Sequence, residues 1–82
     1  MHKQTEKIEF EIVQRIYKLF LVKFNGNKSA FAKASSCSEA TVRRVFRNEQ
    51  RMTVDLLLRF AFALDMELID IFKGINIEPN NK

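Results

Sequence analysis

Residues that stop and restart helices divide this chain into short segments with little room between them. Thr5 followed by Glu6 is a start signal for a helix running to about Phe24, where Asn25-Gly26 offers the left-handed conformation that ends helices. Asn27 can cap a second, short helix through about Ala34. Ser35-Ser36-Cys37 then breaks the pattern, and Ser38 caps a third helix over Glu39 to Arg47. Asn48 to Met52 reads as a polar loop, Thr53 caps a strongly apolar fourth helix through about Leu64, and Glu67 to Phe72 supplies a last helical turn or two before Gly74. The expected fold is all-α, a compact bundle of about five helices forming one domain over residues 1–74. Residues 75–82, with Pro79 and three asparagines, are expected to fray. No internal repeat and no linker is visible.

Length and composition narrow the function classes. A chain of 82 residues has room for one small core and too little for a separate substrate domain. With 46% apolar and 29% charged residues, but only two glycines and one proline, it is neither disordered nor built from many tight turns. The single cysteine, Cys37, cannot form an internal disulfide, so a reducing cytoplasm is the expected compartment. No apolar run approaches the length of a membrane span, and the amino terminus lacks the apolar stretch of a signal peptide; a soluble chain that is not exported is expected. His2 and Cys37, the strongest metal-ligand types besides carboxylates, lie far apart without paired spacing, so neither metal nor cofactor is expected. No serine has a histidine or lysine partner at motif spacing, and there is no glycine-rich phosphate loop. An enzyme is therefore not expected.

The net charge of +4 is informative only once it is located. Between Asn27 and Met52 stand Lys28, Lys33, Arg43, Arg44, Arg47 and Arg51 against Glu39 and Glu49, which accounts for the whole surplus; the other acidic and basic residues cancel. A central third that is basic suits a surface that neutralises phosphates, although a charge run is also the ordinary character of a solvated face. At about 100° per residue, Val42, Val45 and Phe46 of the third helix share one side, which must face the core. The opposite side carries Ala40, Arg43, Arg44 and Arg47, with Ala40, Arg44 and Arg47 forming one outward stripe. Guanidinium groups so placed can pair with the O6 and N7 acceptors of guanine or fork onto phosphate, and a methyl such as that of Ala40 can meet the methyl of thymine.

The flanking residues add a resemblance. The segment Lys28-Ser-Ala-Phe-Ala-Lys-Ala-Ser-Ser-Cys-Ser-Glu-Ala-Thr-Val-Arg-Arg-Val-Phe-Arg-Asn, followed by Thr53-Val-Asp-Leu-Leu-Leu-Arg-Phe-Ala-Phe-Ala-Leu and Leu68-Ile-Asp-Ile-Phe, resembles the lambda-repressor-like, or XRE, helix-turn-helix family over about residues 12 to 72. Phe31, Ala32, Val42 and Val45 fall at its packing positions. The resemblance implies that Lys28 touches phosphate or a flanking base, and that Ser38, Glu39, Ala40, Thr41, Arg43 and Arg44 form the base-facing start of a recognition helix. It further implies that Arg47, Asn48 and Arg51 belong to the loop that grips the DNA backbone. Glu39 can accept from the N4 amine of cytosine or merely complement the helix dipole. Three departures stand out. Ser36 replaces the usual turn glycine, so a left-handed residue there is either absent or tolerated at some cost. Lys28 replaces a glutamine, and the stretch from Val22 to Asn27 is about one residue long.

Helix one carries two apolar stripes, Ile8, Ile12, Ile16 and Leu19, and beside it Phe10, Val13, Tyr17, Phe20, Leu21 and Phe24. Only Lys7, Glu11, Gln14, Arg15 and Lys18 are left for water. A helix facing one core needs a stripe of roughly 100°, so surplus apolar surface is expected. Leu56, Phe62 and Ile69 add to it, standing where the family usually has polar residues. Scattered surface hydrophobes are the plain explanation; a protein interface is the other. The resemblance implies a transcriptional regulator of the phage or mobile-element repressor or restriction-modification controller type, bacterial or phage-encoded. Its partner would be a near-palindromic stretch of double-stranded DNA, bound by a homodimer that doubles the readout of one helix. Ile69 and Phe72 of the last helix, with Phe62, Tyr17 and Phe24, are the expected dimer contacts. The alternative is an antitoxin-like module that neutralises a partner protein and binds DNA secondarily.

Overall fold

A computed structural model describes residues 2–75, with side chains from residue 5 onward. Among them run five helices and no strand: α1 (His2–Phe24), α2 (Lys28–Ser35), α3 (Glu39–Phe46), α4 (Val54–Leu64) and α5 (Leu68–Phe72). Asn27, Ser38 and Thr53 cap α2, α3 and α4 as their side chains suggest, each accepting from a backbone N–H three residues on. Thr5 does not cap α1. The helix begins at His2 and passes through Thr5, because Lys3 and Gln4 are good helix formers and nothing at Thr5 obliges the backbone to leave the helical region. Ile75, assigned to the tail by its sequence, donates to the Phe72 carbonyl at 2.9 Å and is half-buried. The rest of the expected tail lies outside the described residues. None of the described helices is long and apolar enough to cross a membrane.

The core forms where four short helices surround one long one. Val13, Ile16 and Phe20 of α1 are buried, and Ile12, Tyr17, Leu19 and Phe24 flank them half-buried. The two stripes of α1 are thus one broad face, widened because α2, α3, α4 and α5 all pack against it, rather than a core face plus a free one. What remains exposed of it is Phe10 and Leu21. Leu56 is likewise no surface residue. With Phe60, Ala61 and Leu64 it makes the inner face of α4, whereas Phe62, with Val54 and Leu58, stays outside.

Aromatic rings join the helices. Phe31 of α2 lies 5.2 Å from Phe20 of α1 and 5.0 Å from Phe60 of α4, while Phe46 of α3 lies 5.1 Å from Phe20 and 6.3 Å from Phe60. These centroid spacings are within the range in which ring pairs attract beyond their area burial. Side chains of α1 hold the far ends of two other helices. Lys23 Nζ donates to the Leu64 carbonyl at 2.7 Å, and Arg15 Nη1 to that of Ile71 at 3.1 Å, satisfying carbonyls that end α4 and α5. Arg15 therefore leaves the solvated arc in which its spacing had placed it.

Helix ends close tightly without glycine. Ser36, Asn48 and Asp65 each take a left-handed conformation, with φ of 59°, 61° and 58°. Around each, paired backbone bonds close the helix: Ser36 N–H to Lys33 O with Cys37 N–H to Ala32 O, Asn48 N–H to Val45 O with Glu49 N–H to Arg44 O, and Asp65 N–H to Phe62 O with Met66 N–H to Ala61 O. Cys37 and Met66, the residues after two of these turns, pack against the core. The turn between α2 and α3 thus keeps its left-handed residue although glycine is missing.

Two outcomes follow for stability. Phe60→Ala should cost about 3–5 kcal/mol, a large share of the stability of about 5–15 kcal/mol usual for a domain, whereas Phe62→Ser should stay within about 0.5 kcal/mol; urea unfolding followed by circular dichroism compares them. Ser36→Gly should raise stability by up to about 1 kcal/mol, since the left-handed conformation costs an L-residue about 1–2 kcal/mol and glycine returns about half of that as chain entropy. Ser36→Val should lower it by more than about 1 kcal/mol. A destabilised glycine variant would show that the serine side chain, not the backbone angle, matters there.

Candidate nucleic-acid interface

The position of α3 is set by what it buries. Val42 and Val45 are completely inside and Phe46 is half-buried in the aromatic cluster, so the helix cannot roll without opening the core. Its other side is thereby turned outward. Arg44 and Arg47 are exposed, and Ala40 between the helix start and Arg44 is half-exposed. The stripe read from periodicity therefore exists as a surface. Arg47 lies at the carboxyl end, where it closes the helix with its own N–H on the Arg43 carbonyl.

The start of α3 is a built cap. Ser38 Oγ accepts from Thr41 N–H at 3.1 Å and lies 2.9 Å from the Thr41 hydroxyl, so two of the sequence-selected residues spend polar atoms on each other. Both remain at least partly exposed. Glu39 occupies the first turn, where its charge complements the helix dipole, and its carboxylate is 3.6 Å from Arg43 Nη1. That pair is half-exposed and so contributes little to stability. Its effect is on availability: of the three arginines on this side, Arg43 already faces a carboxylate. Among the described residues, Arg44 and Arg47 have no ion-pair partner.

Lys28 stands in the first turn of α2, half-buried, next to Asn27, whose Oδ1 accepts from Ala30 N–H at 3.0 Å. Asn48, exposed and left-handed, follows the Arg47 cap of α3. Arg51 is exposed but not unengaged. Its Nε donates to Glu9 Oε1 at 2.7 Å, and Glu9 Oε2 accepts from Met52 N–H at 2.7 Å. A carboxylate of α1 thus reaches into the segment between α3 and α4, a contact between residues 42 positions apart that no local pattern announces.

A second residue outside the sequence-selected set supports the turn. Arg59 of α4 donates from Nη1 to the Ser36 carbonyl at 2.9 Å and from Nε to Asp55 at 2.8 Å, so the left-handed turn between α2 and α3 is tied to α4. The spacing of Asp55 and Arg59 signals their own pair, but nothing in the sequence signals the reach to Ser36. Burial pushes the Cys37 thiol above its ordinary value, and the nearby Arg59 opposes this only in part. Cys37 packs half-buried in the turn, against the core.

The expected dimer residues separate into two kinds. Phe62 and Ile69 are 81% and 69% exposed, whereas Tyr17, Phe24 and Phe72 are half-buried and pack against the core. The ring of Tyr17 sits edge-on to Phe46 at 5.1 Å and that of Phe24 edge-on to Phe31 at 5.1 Å, so both have internal partners. No family model, no curated protein and no solved structure matches this chain.

Proposed function

We propose that this chain is a lambda-repressor-like, XRE-type helix-turn-helix protein that binds double-stranded DNA sequence-specifically and regulates transcription in the cytoplasm. The observation that carries the reading is the seating of α3: Val42 and Val45 lie wholly inside, while Arg44 and Arg47 face outward without an ion-pair partner among the described residues. A helix of this width fits the major groove, and arginine forks match guanine edges and phosphates. In this reading Arg44 reads a base edge, with Ser38, Glu39, Ala40, Thr41 and Arg43 around it. Lys28, Arg47, Asn48 and Arg51 hold the backbone.

One helix reads few base pairs, so a homodimer on a near-palindrome is part of the proposal, with half-sites about one helical turn, roughly 34 Å, apart. Phe62 and Ile69 are its best-placed contacts because their side chains are not needed by the core. The same two exposures favour the second reading, an antitoxin-like module that covers them with a different protein and binds DNA secondarily.

Selection of bound sequences from random duplex DNA is the direct test, and the absence of any enriched motif would sink the proposal. On the enriched site, Arg44→Ala should lower affinity by about 1–3 kcal/mol while hardly changing binding to random DNA; equal losses on both would remove Arg44 from base reading. Sedimentation at micromolar concentration should show a dimer that Phe62→Ser with Ile69→Ser converts to folded monomers. A wild-type chain that stays monomeric, free and on DNA, would leave the two hydrophobes to the second reading.

A further inference from the structure

The segment between α3 and α4 has little beside it on the α1 side. A hollow of about 280 Å³, lined by Glu6, Glu9, Phe10, Asn48, Gln50 and Arg51, opens on one flank. Another, of about 260 Å³, opens on the other flank, with Ile8, Ile12, Val54 and Leu57 among its walls. Between the two hollows stands one carboxylate. Glu9, whose side chain is only 21% exposed, accepts from Met52 N–H through one oxygen and from Arg51 Nε through the other, both at 2.7 Å. Together with the half-buried packing of the Met52 side chain, this two-handed contact ties the segment to the body of the protein.

The way Glu9 engages Arg51 matters. It takes the Nε–H and leaves the two terminal nitrogens of the guanidinium out of the hydrogen bond, on a side chain that is 75% exposed. An arginine held by its Nε has lost much of its rotamer freedom but keeps donors for an anion. We propose that Glu9 is a positioning residue that presents Arg51 and the 48–52 segment to a DNA phosphate, an inference that rests on the DNA-binding reading above. Order costs less at the moment of binding when it is already present in the free protein. Glu9 does not touch the DNA itself; it acts through Arg51 and the Met52 amide.

This role and simple charge counting have opposite signs. Glu9→Gln removes a negative charge close to Arg51, and long-range electrostatics alone would tighten binding to a polyanion. Positioning requires the reverse. The glutamine oxygen can still accept from Met52 N–H, so the fold is kept while the hold on Arg51 is weakened. Fluorescence anisotropy on the duplex selected by the wild-type protein, over a series of salt concentrations, should show E9Q binding more weakly by up to about fivefold, the upper end of what an exposed ion pair contributes. R51A should lower the slope of log affinity against log salt by about one. In the R51A background E9Q should cost nothing. The free protein supplies a second readout: the Arg51 Nε–H proton should exchange slowly with water in the wild type and quickly in E9Q. Tighter binding by E9Q, an equal loss with and without Arg51, or unprotected Nε–H in the wild type would overturn the positioning role while leaving the functional reading intact. A wild-type chain that binds no duplex would overturn both.

Discussion

One ring from each of four helices meets in the centre of this protein. Phe20, Phe31, Phe46 and Phe60 come from α1, α2, α3 and α4, and their centroids lie about 5 to 6 Å from their neighbours. Helices of 8 residues, such as α2 and α3, are too short to persist alone in water. They exist because their inner faces are buried against this cluster and against each other. The outward face of α3 is therefore a consequence of the core: the same contacts that make α3 a helix also decide that Arg44 and Arg47 point away from it.

The cluster could not form if the chain between helices were longer or looser. Left-handed closures at Ser36, Asn48 and Asp65 turn the backbone within very few residues, and the two glycines are used elsewhere, in the turn after α1 and just after α5. Asparagine and aspartate accept this conformation readily because their short polar side chains bond locally, whereas serine does so at greater cost. The Ser36 turn has compensations. Its carbonyl is held by Arg59, and the Ser35 hydroxyl beside it, fully buried, donates to the Phe31 carbonyl at 2.7 Å.

Polar groups on α1 complete the arrangement in a way its apolar pattern conceals. Glu9, Arg15 and Lys23 lie on one helix and reach three different places, the 48–52 segment, the end of α5 and the end of α4. A helix that looks over-supplied with apolar surface is therefore the hub of the fold, with neighbours on several sides and ties at three heights. Of its apolar residues Phe10, Leu21 and Val22 stay exposed, and Phe62 and Ile69 of α4 and α5 are exposed beside them.

Much was legible in the residues themselves, because its causes are local. Asn27, Ser38 and Thr53 mark helix starts through hydrogen bonds spanning three residues, and the 3.6-residue period separates Val42 and Val45 from Arg44 and Arg47 wherever α3 is placed. The cationic stripe and the short α2–α3 turn followed from such rules. Thr5 shows their limit: a capping residue permits a helix start but does not impose one. Other features depended on groups far apart in sequence. Leu56 is inside and Phe62 outside, Tyr17 and Phe24 are occupied by Phe46 and Phe31, and Arg51 is held by Glu9 across 42 positions. Periodicity gives the angle between residues on one helix, but only the packing of α1 against its four neighbours decides which angle faces the core, and which charges come within reach of one another.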